Sequence, residues 1–569
     1  MSSNATRRFG TDSQETAETR VTAAMCYSLS SSVGLERFFF AQSHLALHHA
    51  QPLSIMENHV HAIKRVAAAV RGFSERGESY RIFHGSSNST RPPSSDHNVV
   101  DISALSNVVS IDTGARVALV EPNVPMDRLV EATLRHGLIP PVVMEFPGIT
   151  AGGGFSGTSG ESSSFRHGFF DETINSVEMI LGNGQIVKAS RNERADLFHG
   201  AAGAVGTLGI MTLMELRLIE AKKFVRTTYH RVNSTAEAVA RIQVETSDPK
   251  NDYIDGILFS KDHGVIITGQ LTNNKPANRQ LQTFSDAADP WFYLHVQDKT
   301  QNASPHCYFT DYIPLTEYLF RYDRAGFWVG RQGYTYFKYI PFNSFFRWFL
   351  DDFSHTRMLY HALHAGGISS RFIVQDLALP YDTAETFINY AAGEFNIWPL
   401  WLCPLRETPT PTFHPVTCEK SDLADSHEKH NGTSATSSRP MLNIGVWGWG
   451  PQELSEFVLK NRVLEDKLRQ LGGRKWLYAH CYYTEDEFWD VYDRSWYHAL
   501  REKYSATTLP TVFDKVNINI HKRERNEWTK YLINTWPIGG LYGMWVALLS
   551  GDYRLHRNAQ WKYKGGEES

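Results

Sequence analysis

Residues 147–168, PGITAGGGFSGTSGESSSFRHG, place six glycines (Gly148, Gly152, Gly153, Gly154, Gly157 and Gly160) within thirteen positions and fill most gaps with small hydroxyl residues. Glycine tolerates φ > 0 and lets main-chain N–H groups approach a bulky anion, so the stretch suits a pyrophosphate cradle. The same composition also suits a linker or a run of tight turns. A second small-residue stretch, His84-Gly85-Ser86-Ser87-Asn88-Ser89-Thr90-Arg91-Pro92, follows a short strand at Tyr80 to Phe83. Strand followed by a Gly/Ser loop is again anion-binding geometry. Arg91 either adds a fixed positive charge there or is a plain surface arginine.

The elements around these stretches follow from periodicity. Val60, Ile63, Val66, Ala67, Val70 and Phe73 recur at helical spacing before Gly77, which predicts an amphipathic helix. Val99 to Ile102, Val108 to Ile111 and Arg116 to Val120 read as strands, the last two joined as a hairpin through Asp112-Thr113-Gly114. Pro125 opens a helix that Gly137 closes. Thr173 to Leu181 and Ile186 to Ala189 form a second hairpin, and Ser190 with Glu193 reads as a capping box for a short helix reaching Phe198. Gly206-Thr207-Leu208-Gly209 then turns into a strand whose Ile210, Thr212, Met214, Leu216 and Leu218 share a face. This order is α+β rather than a Rossmann unit, because no GxGxxG joins a strand directly to a helix with an acidic residue some 20 positions on.

Beyond residue 226 aromatic residues are dense, among them Trp291, Phe327, Trp328, Tyr339, Phe345, Trp348 and Phe349. Such density is ordinary core or the lining of a pocket for a large apolar ligand. Met441 to Trp449 reads as a strand, Pro451 to Leu471 as a helix, Trp476 to Tyr483 as a strand and Thr484 to Tyr504 as a helix. Residues 419–440 offer almost nothing to bury and read as a disordered insertion.

With 569 residues the chain exceeds one ordinary core, and its 42% hydrophobic and 21% charged composition is globular. A net charge of −4 provides no overall attraction to nucleic acid. Cys26, Cys307, Cys403, Cys418 and Cys481 are scattered without CxxC spacing, which argues against a disulfide framework and against a structural zinc, so no metal is expected. The polar residues 1–20 do not read as a secretory signal, and no stretch reaches the length of a spanning helix. WPIGGLYGMWVALL, residues 536–549, preceded by HKRER at 521–525, matches either a segment lying on a membrane surface or a buried C-terminal segment.

Eight blocks in order resemble the delta(24)-sterol reductase (Diminuto/seladin-like) family of the p-cresol methylhydroxylase/vanillyl-alcohol oxidase-type flavoproteins. They are VEPNVPMDRLV, GITAGGGFSGTSGESSSFRHG, ADLFHGA, GTLGI, RLIEAKKFV, FIVQDLALP, WPLWLCP and GGRKWLYAHCYYTEDEFWDVYDRSWYHALREKY, spread from Val120 to Tyr504. The resemblance implies an α+β fold with a two-subdomain FAD-binding domain followed by an α+β substrate cap. The expected division is an extension over 1–55, the FAD domain over 56–225, the cap over 226–516 and a tail over 517–569.

Carried onto this chain, the resemblance puts Thr150, Ala151, Gly152, Gly153, Gly154, Gly157, Thr158, Gly160, Glu161 and Ser162 around the cofactor's pyrophosphate and ribityl chain. Ser86, Ser87, Asn88 and Arg91 belong to the second loop, and Gly206, Thr207, Gly209 and Ile210 approach the adenine end. Relatives that hold FAD covalently use a histidine in the first loop, sometimes with a cysteine in the second. Asn88 stands at the histidine position and residues 147–168 lack cysteine, so noncovalent FAD is expected; His84 and His167 are the nearby alternatives as tethers. The implied reaction reduces a side-chain alkene of a sterol or related triterpenoid with NADPH as electron donor. Tyr478, His480, Tyr482 and Tyr483 are candidate proton donors, with Glu161 as a relay member. The family pattern carries an acidic residue where His480 stands. Rival expectations are an FAD-linked oxidase of an alcohol or secondary-metabolite precursor, and a sterol-binding protein with little turnover. The implied setting is intracellular, cytoplasmic or peripheral to the endoplasmic reticulum membrane.

Overall fold

The structure is a computed structural model that describes residues 54–86, 98–304, 307–406, 412–415, 440–517 and 535–565. Ser87, Asn88, Arg91 and nearly all of the 1–55 and 419–440 segments lie outside the described residues. Two larger sheets organise the rest. The first is antiparallel and runs, in spatial order, Val108–Asp112, Val117–Val120, Ile210–Arg217, Ile174–Ile180 and Ile186–Ser190. Both sequence hairpins pair as expected, through Ile111 with Ala118 and through Val177 with Ala189.

The helix Ile55–Glu75 lies on this sheet with Ile63, Val66, Ala67 and Val70 buried as expected, and departs from the expected face at its start. Val60 is exposed, whereas His59 is buried and bonded to Glu121 (2.7 Å) and Glu178 (3.1 Å). Two carboxylates outweigh burial and push the imidazole up to about 9, so a charged histidine takes the inward position that hydropathy assigns to an aliphatic residue.

The second sheet is also antiparallel, in the order Tyr308–Pro314, Phe224–Val232, His263–Thr272, Tyr253–Ser260, Leu400–Leu405, Met441–Trp449, Phe372–Pro380 and Arg474–Lys475. Alternation divides its side chains. Ile254, Leu258, Leu377, Leu379, Ile444 and Val446 pack with the helices Thr235–Thr246, Tyr381–Phe395 and Leu454–Gln470. Tyr253, Trp401, Cys403, Ala378 and Trp447 fall on the opposite face, in the core shared with the first sheet.

Three expectations fail locally. Only Arg474–Lys475 pair as a strand; the chain from Trp476 to Tyr483 leaves the sheet because the Glu465 carboxylate accepts from Tyr482 N (3.0 Å) and Lys475 Nζ (2.6 Å), taking the place of a neighbouring strand. The single helix from Thr484 to Tyr504 is two helices, Glu485–Val491 and Arg494–Lys503, because the Asp493 side chain accepts from Trp496 N and starts the second. Ser190 accepts from the backbone of Asn192 and Glu193, which makes a turn and not a helix cap; the helix begins at Ala195 after Arg194, which has φ 48°.

Candidate active site

A cavity of about 680 Å³ runs from the glycine segment of the first sheet's domain to the aromatic face of the second sheet. Its lining includes Gly152, Gly153, Gly157 and Gly160 at one side and Phe327, Tyr360, Trp401 and Trp447 at the other.

The glycine segment differs from the expected open loop. Ala151–Gly157 is a short helix capped by Thr150, whose side chain accepts from Gly153 N. Gly152 N donates to Pro122 O (2.7 Å) and Ala151 N to Val124 O (2.9 Å). These donors are consumed within the protein, so the glycines at 152 and 153 serve the cavity by the absence of side chains. Gly154 does not line the cavity: a Cβ there would stand 2.5 Å from Met144 Cε and 2.8 Å from Phe170 Cδ1. Ala151 and Thr158 are likewise buried away from it, and Ser162 donates to Glu145 Oε1 instead (3.2 Å). We therefore expect Gly154→Val to lower the melting temperature of flavin-free protein, since overpacking of this kind costs about 1–3 kcal/mol or more. Unchanged flavin-free stability with lost FAD would instead place Gly154 in a phosphate cradle.

The residues fit FAD in other respects. Gly206, with φ 74°, and Gly209, with φ 141°, keep the opposite wall bare, with a Cβ at Gly206 falling 2.9 Å from Ile82 Cδ1. Ile210 and Ser86 line the same wall, whereas Thr207 is turned into the interior, where its hydroxyl accepts from Tyr497 (2.7 Å). Lys515 and Arg81 bring positive charge to this end, suited to a pyrophosphate. Lys515 is anchored on Val205 O (3.0 Å), and together with burial it holds His84 below its usual pKa. His167 lies instead in a surface hollow with Arg191, Arg217 and Arg406. Lys515 was not legible as a site residue, because the helix Val512–Val516 sits some 300 positions from the glycines it joins.

Buried acids surround the middle of the cavity. Arg321 bridges Glu145 (2.7 Å) and Asp255 (3.0 Å), and Asp255 also accepts from Tyr322 (2.7 Å) and Trp401 (3.2 Å). One guanidinium thus serves two carboxylates, and burial pushes Glu145 up to about 7 despite it. Glu161 lines the cavity and makes no side-chain hydrogen bond among the described residues. Burial first, then the Glu145 charge, holds its carboxyl well above the usual range, which favours the protonated form.

Tyr478 joins the two halves. Gly157 passes close enough to its ring that a Cβ would touch it at 3.7 Å, and its hydroxyl donates to Asp376 Oδ2 at 2.6 Å. His480 and Tyr482 also line the cavity, whereas Tyr483 is buried outside it. Asp376 and Asp255 were missed in the sequence. The signal was available: each is the one acid at an inward position of an otherwise apolar strand, FIVQDLALP and YIDGILFS.

Comparison with known proteins separates the cofactor half from the whole. A family model described as an FAD binding domain matches residues 59–190. The delta(24)-sterol reductase of Homo sapiens is 29% identical over 426 residues, covering 72% of this chain and 76% of that protein. That of Arabidopsis thaliana is 26% identical over 450 residues, covering 74% and 76%. Cytokinin dehydrogenase 9 of Oryza sativa subsp. japonica is 26% identical over 180 residues, 31% of this chain and 34% of its own length.

Proposed function

We propose that this chain, a homologue of the delta(24)-sterol reductases with an FAD-binding domain, reduces the side-chain C24 double bond of a sterol or related triterpenoid with electrons from NADPH. The observation that supports this most is the single cavity shared by a side-chain-free glycine wall and an aromatic sheet face, with acids at their junction. FAD, held noncovalently and reduced by NADPH, supplies the hydride.

The protein's own groups do the rest. Lys515 and Arg81 hold the anionic end of the cofactor, and the bare backbone at Gly152, Gly153, Gly206 and Gly209 lets it approach. Phe327, Tyr360, Trp401 and Trp447 exclude water and orient the rigid apolar substrate. Tyr478 stands between the two compartments and hands a proton to the alkene carbon that does not receive hydride. Glu161 faces the cavity, and its burial favours the protonated form, a hydrogen-bond donor to whatever occupies the space. Release of the flavin by acid tests the noncovalent attachment. Flavin that stays on the polypeptide contradicts it.

The same reading extends to a membrane surface. The helix Ile538–Ser550 packs on Thr356–Ala365, with Gly543 against Ala362 and Gly540 against Tyr336 and Phe337, and Leu359, Tyr360, Leu363 and His364 of Thr356–Ala365 line the cavity. It turns Ile538, Leu541, Tyr542, Trp545, Leu548 and Leu549 outward, and Tyr339, Phe345, Trp348 and Phe349 are exposed nearby in sequence to its packing partners. No helix among the described residues is long and apolar enough to cross a membrane. An apolar outer face of this kind lies in an interface. Trp545→Asp with Leu549→Asp is expected to reduce sedimentation with anionic phospholipid vesicles by about tenfold or more, while turnover of detergent-dispersed substrate stays unchanged. Undiminished vesicle binding would remove this face from the account.

A further inference from the structure

We propose that Asp376 is the proton reservoir of the site, reloading Tyr478 after each transfer. This rests on the reading of the cavity as the place of alkene reduction. Asp376 lies on the inward face of Phe372–Pro380, 3% exposed. Its Oδ2 accepts from Tyr478 Oη (2.6 Å) and Trp447 Nε1 (3.3 Å), and its Oδ1 from Asn443 Nδ2 (3.1 Å). All three donors are neutral. Of the other acids nearby, Glu145 and Asp255 share Arg321 and Glu465 has Lys475 at 2.6 Å, whereas Glu161 has no ion-pair partner among the described residues. Asp376 acts on Tyr478 of the 476–483 segment, Glu161 of the glycine segment, Tyr360 of Thr356–Ala365 and Cys403 of Leu400–Leu405, and the imidazoles of His361, His364 and His480 line the same cavity. Burial accordingly pushes the carboxyl up to about 6, against the pull of its three hydrogen bonds.

A carboxyl used only to fix Tyr478 would work best fully ionised beside a cation. This one is placed to gain and lose a proton. In the transfer, the Tyr478 O–H bond breaks as a C–H bond forms on the substrate. When Asp376 is protonated its hydrogen bond with Tyr478 reverses, Oδ2–H donating to Tyr478 Oη and freeing the phenol hydrogen for the substrate; the Oδ2 proton moves to Oη as the phenol hydrogen leaves, so tyrosine stays neutral and aspartate ends as carboxylate. The adjacent carbon receives hydride from the reduced cofactor, which balances the addition of two hydrogens. Water reaching the cavity then reprotonates Asp376. Turnover is therefore supported at low pH and lost as pH rises through the Asp376 pKa.

Asp376→Asn tests this, because the amide oxygen still accepts from Tyr478 while the exchangeable proton is gone. With FAD-loaded protein, single-turnover reoxidation by a sterol alkene is expected to slow by about 100-fold or more and to lose its alkaline decline. In parallel, infrared difference spectra of wild type across pH are expected to show a protonated carboxyl band that titrates near pH 6, is absent in Asp376→Asn and shifts in Tyr478→Phe. An Asp376→Asn protein with the wild-type rate and pH profile overturns the proposal, as does a titrating band that shifts in Tyr478→Phe yet survives Asp376→Asn; the Glu145 carboxyl, raised to about 7, gives a band that neither substitution removes. A wild type that no sterol alkene reoxidises sinks the functional reading instead, and the infrared arm still decides whether Asp376 carries the proton. Should Asp376→Asn fold poorly, Tyr478→Phe supplies the infrared comparison, where an unshifted band contradicts the coupling.

Discussion

Replacing Arg321 by methionine is expected to cost about 3–5 kcal/mol of folding stability near neutral pH, the usual result of breaking a buried ion pair from one side. Arg321 is 1% exposed, and its guanidinium serves Glu145 and Asp255 while donating to Tyr318 O (2.9 Å) and lying over the Tyr318 ring. Methionine restores most of the volume but leaves two carboxyls without their cation. The Glu145 carboxyl, which burial already holds above the unfolded value of about 4, then rises further. An acid with a raised folded pKa destabilises the protein above its unfolded pKa and ceases to do so below it. The stability gap between variant and wild type should therefore be largest at neutral pH and close as pH falls towards about 4. Denaturant melts across pH check this. A gap independent of pH would show that packing, not charge, sets the role of Arg321.

Tyr478→Phe is expected to retain FAD and lose turnover by about 10²–10⁴-fold, the range for removal of a positioned acid. Retention follows from what remains: the ring that packs by Gly157 is unchanged, and only the hydroxyl on Asp376 is removed. The loss should appear in single-turnover reoxidation by substrate and not in the reduction of the flavin by NADPH, because proton donation belongs to the second half-reaction. Equal slowing of both half-reactions would place Tyr478 in cofactor positioning. Glu161→Gln offers the contrast. Since burial favours the protonated form of Glu161, which has no side-chain hydrogen bond among the described residues, the amide keeps a donor at the same place, and turnover should fall far less than in Tyr478→Phe.

The glycines and strands were legible because their signals are local. Both hairpins, the Met126–Leu134 helix between Pro125 and Gly137, and the strand Met441–Trp449 lie where periodicity and turn residues put them. What was not legible depends on distant partners. The burial of His59 in place of Val60 at the start of Ile55–Glu75 is decided by Glu121 and Glu178, and the departure of Trp476 to Tyr483 from the sheet by Glu465. The glycine segment was legible as backbone without side-chain bulk, but the N–H donors expected there for a pyrophosphate are bonded within the protein at Ala151, Gly152 and Gly153. Its N–H groups could not be assigned from sequence, because their acceptors at Pro122 and Val124 come from another turn. In the site, Tyr478, His480, Tyr482 and Glu161 were nominated and all line the cavity. Asp376, Lys515 and the Glu145–Arg321–Asp255 cluster were not, since charge on an inward strand position or an outlying helix acquires meaning only once the sheets pack.

The most direct test of the central claim is anaerobic. FAD-loaded protein is reduced with NADPH, watched by loss of flavin absorbance, and then mixed with a sterol carrying a C24 side-chain alkene. The account requires bleaching by NADPH followed by recovery of the oxidised spectrum and formation of the saturated side chain in equal amount. Reduced flavin that ignores the alkene and is reoxidised only on admitting oxygen would contradict it and make the protein an oxidase.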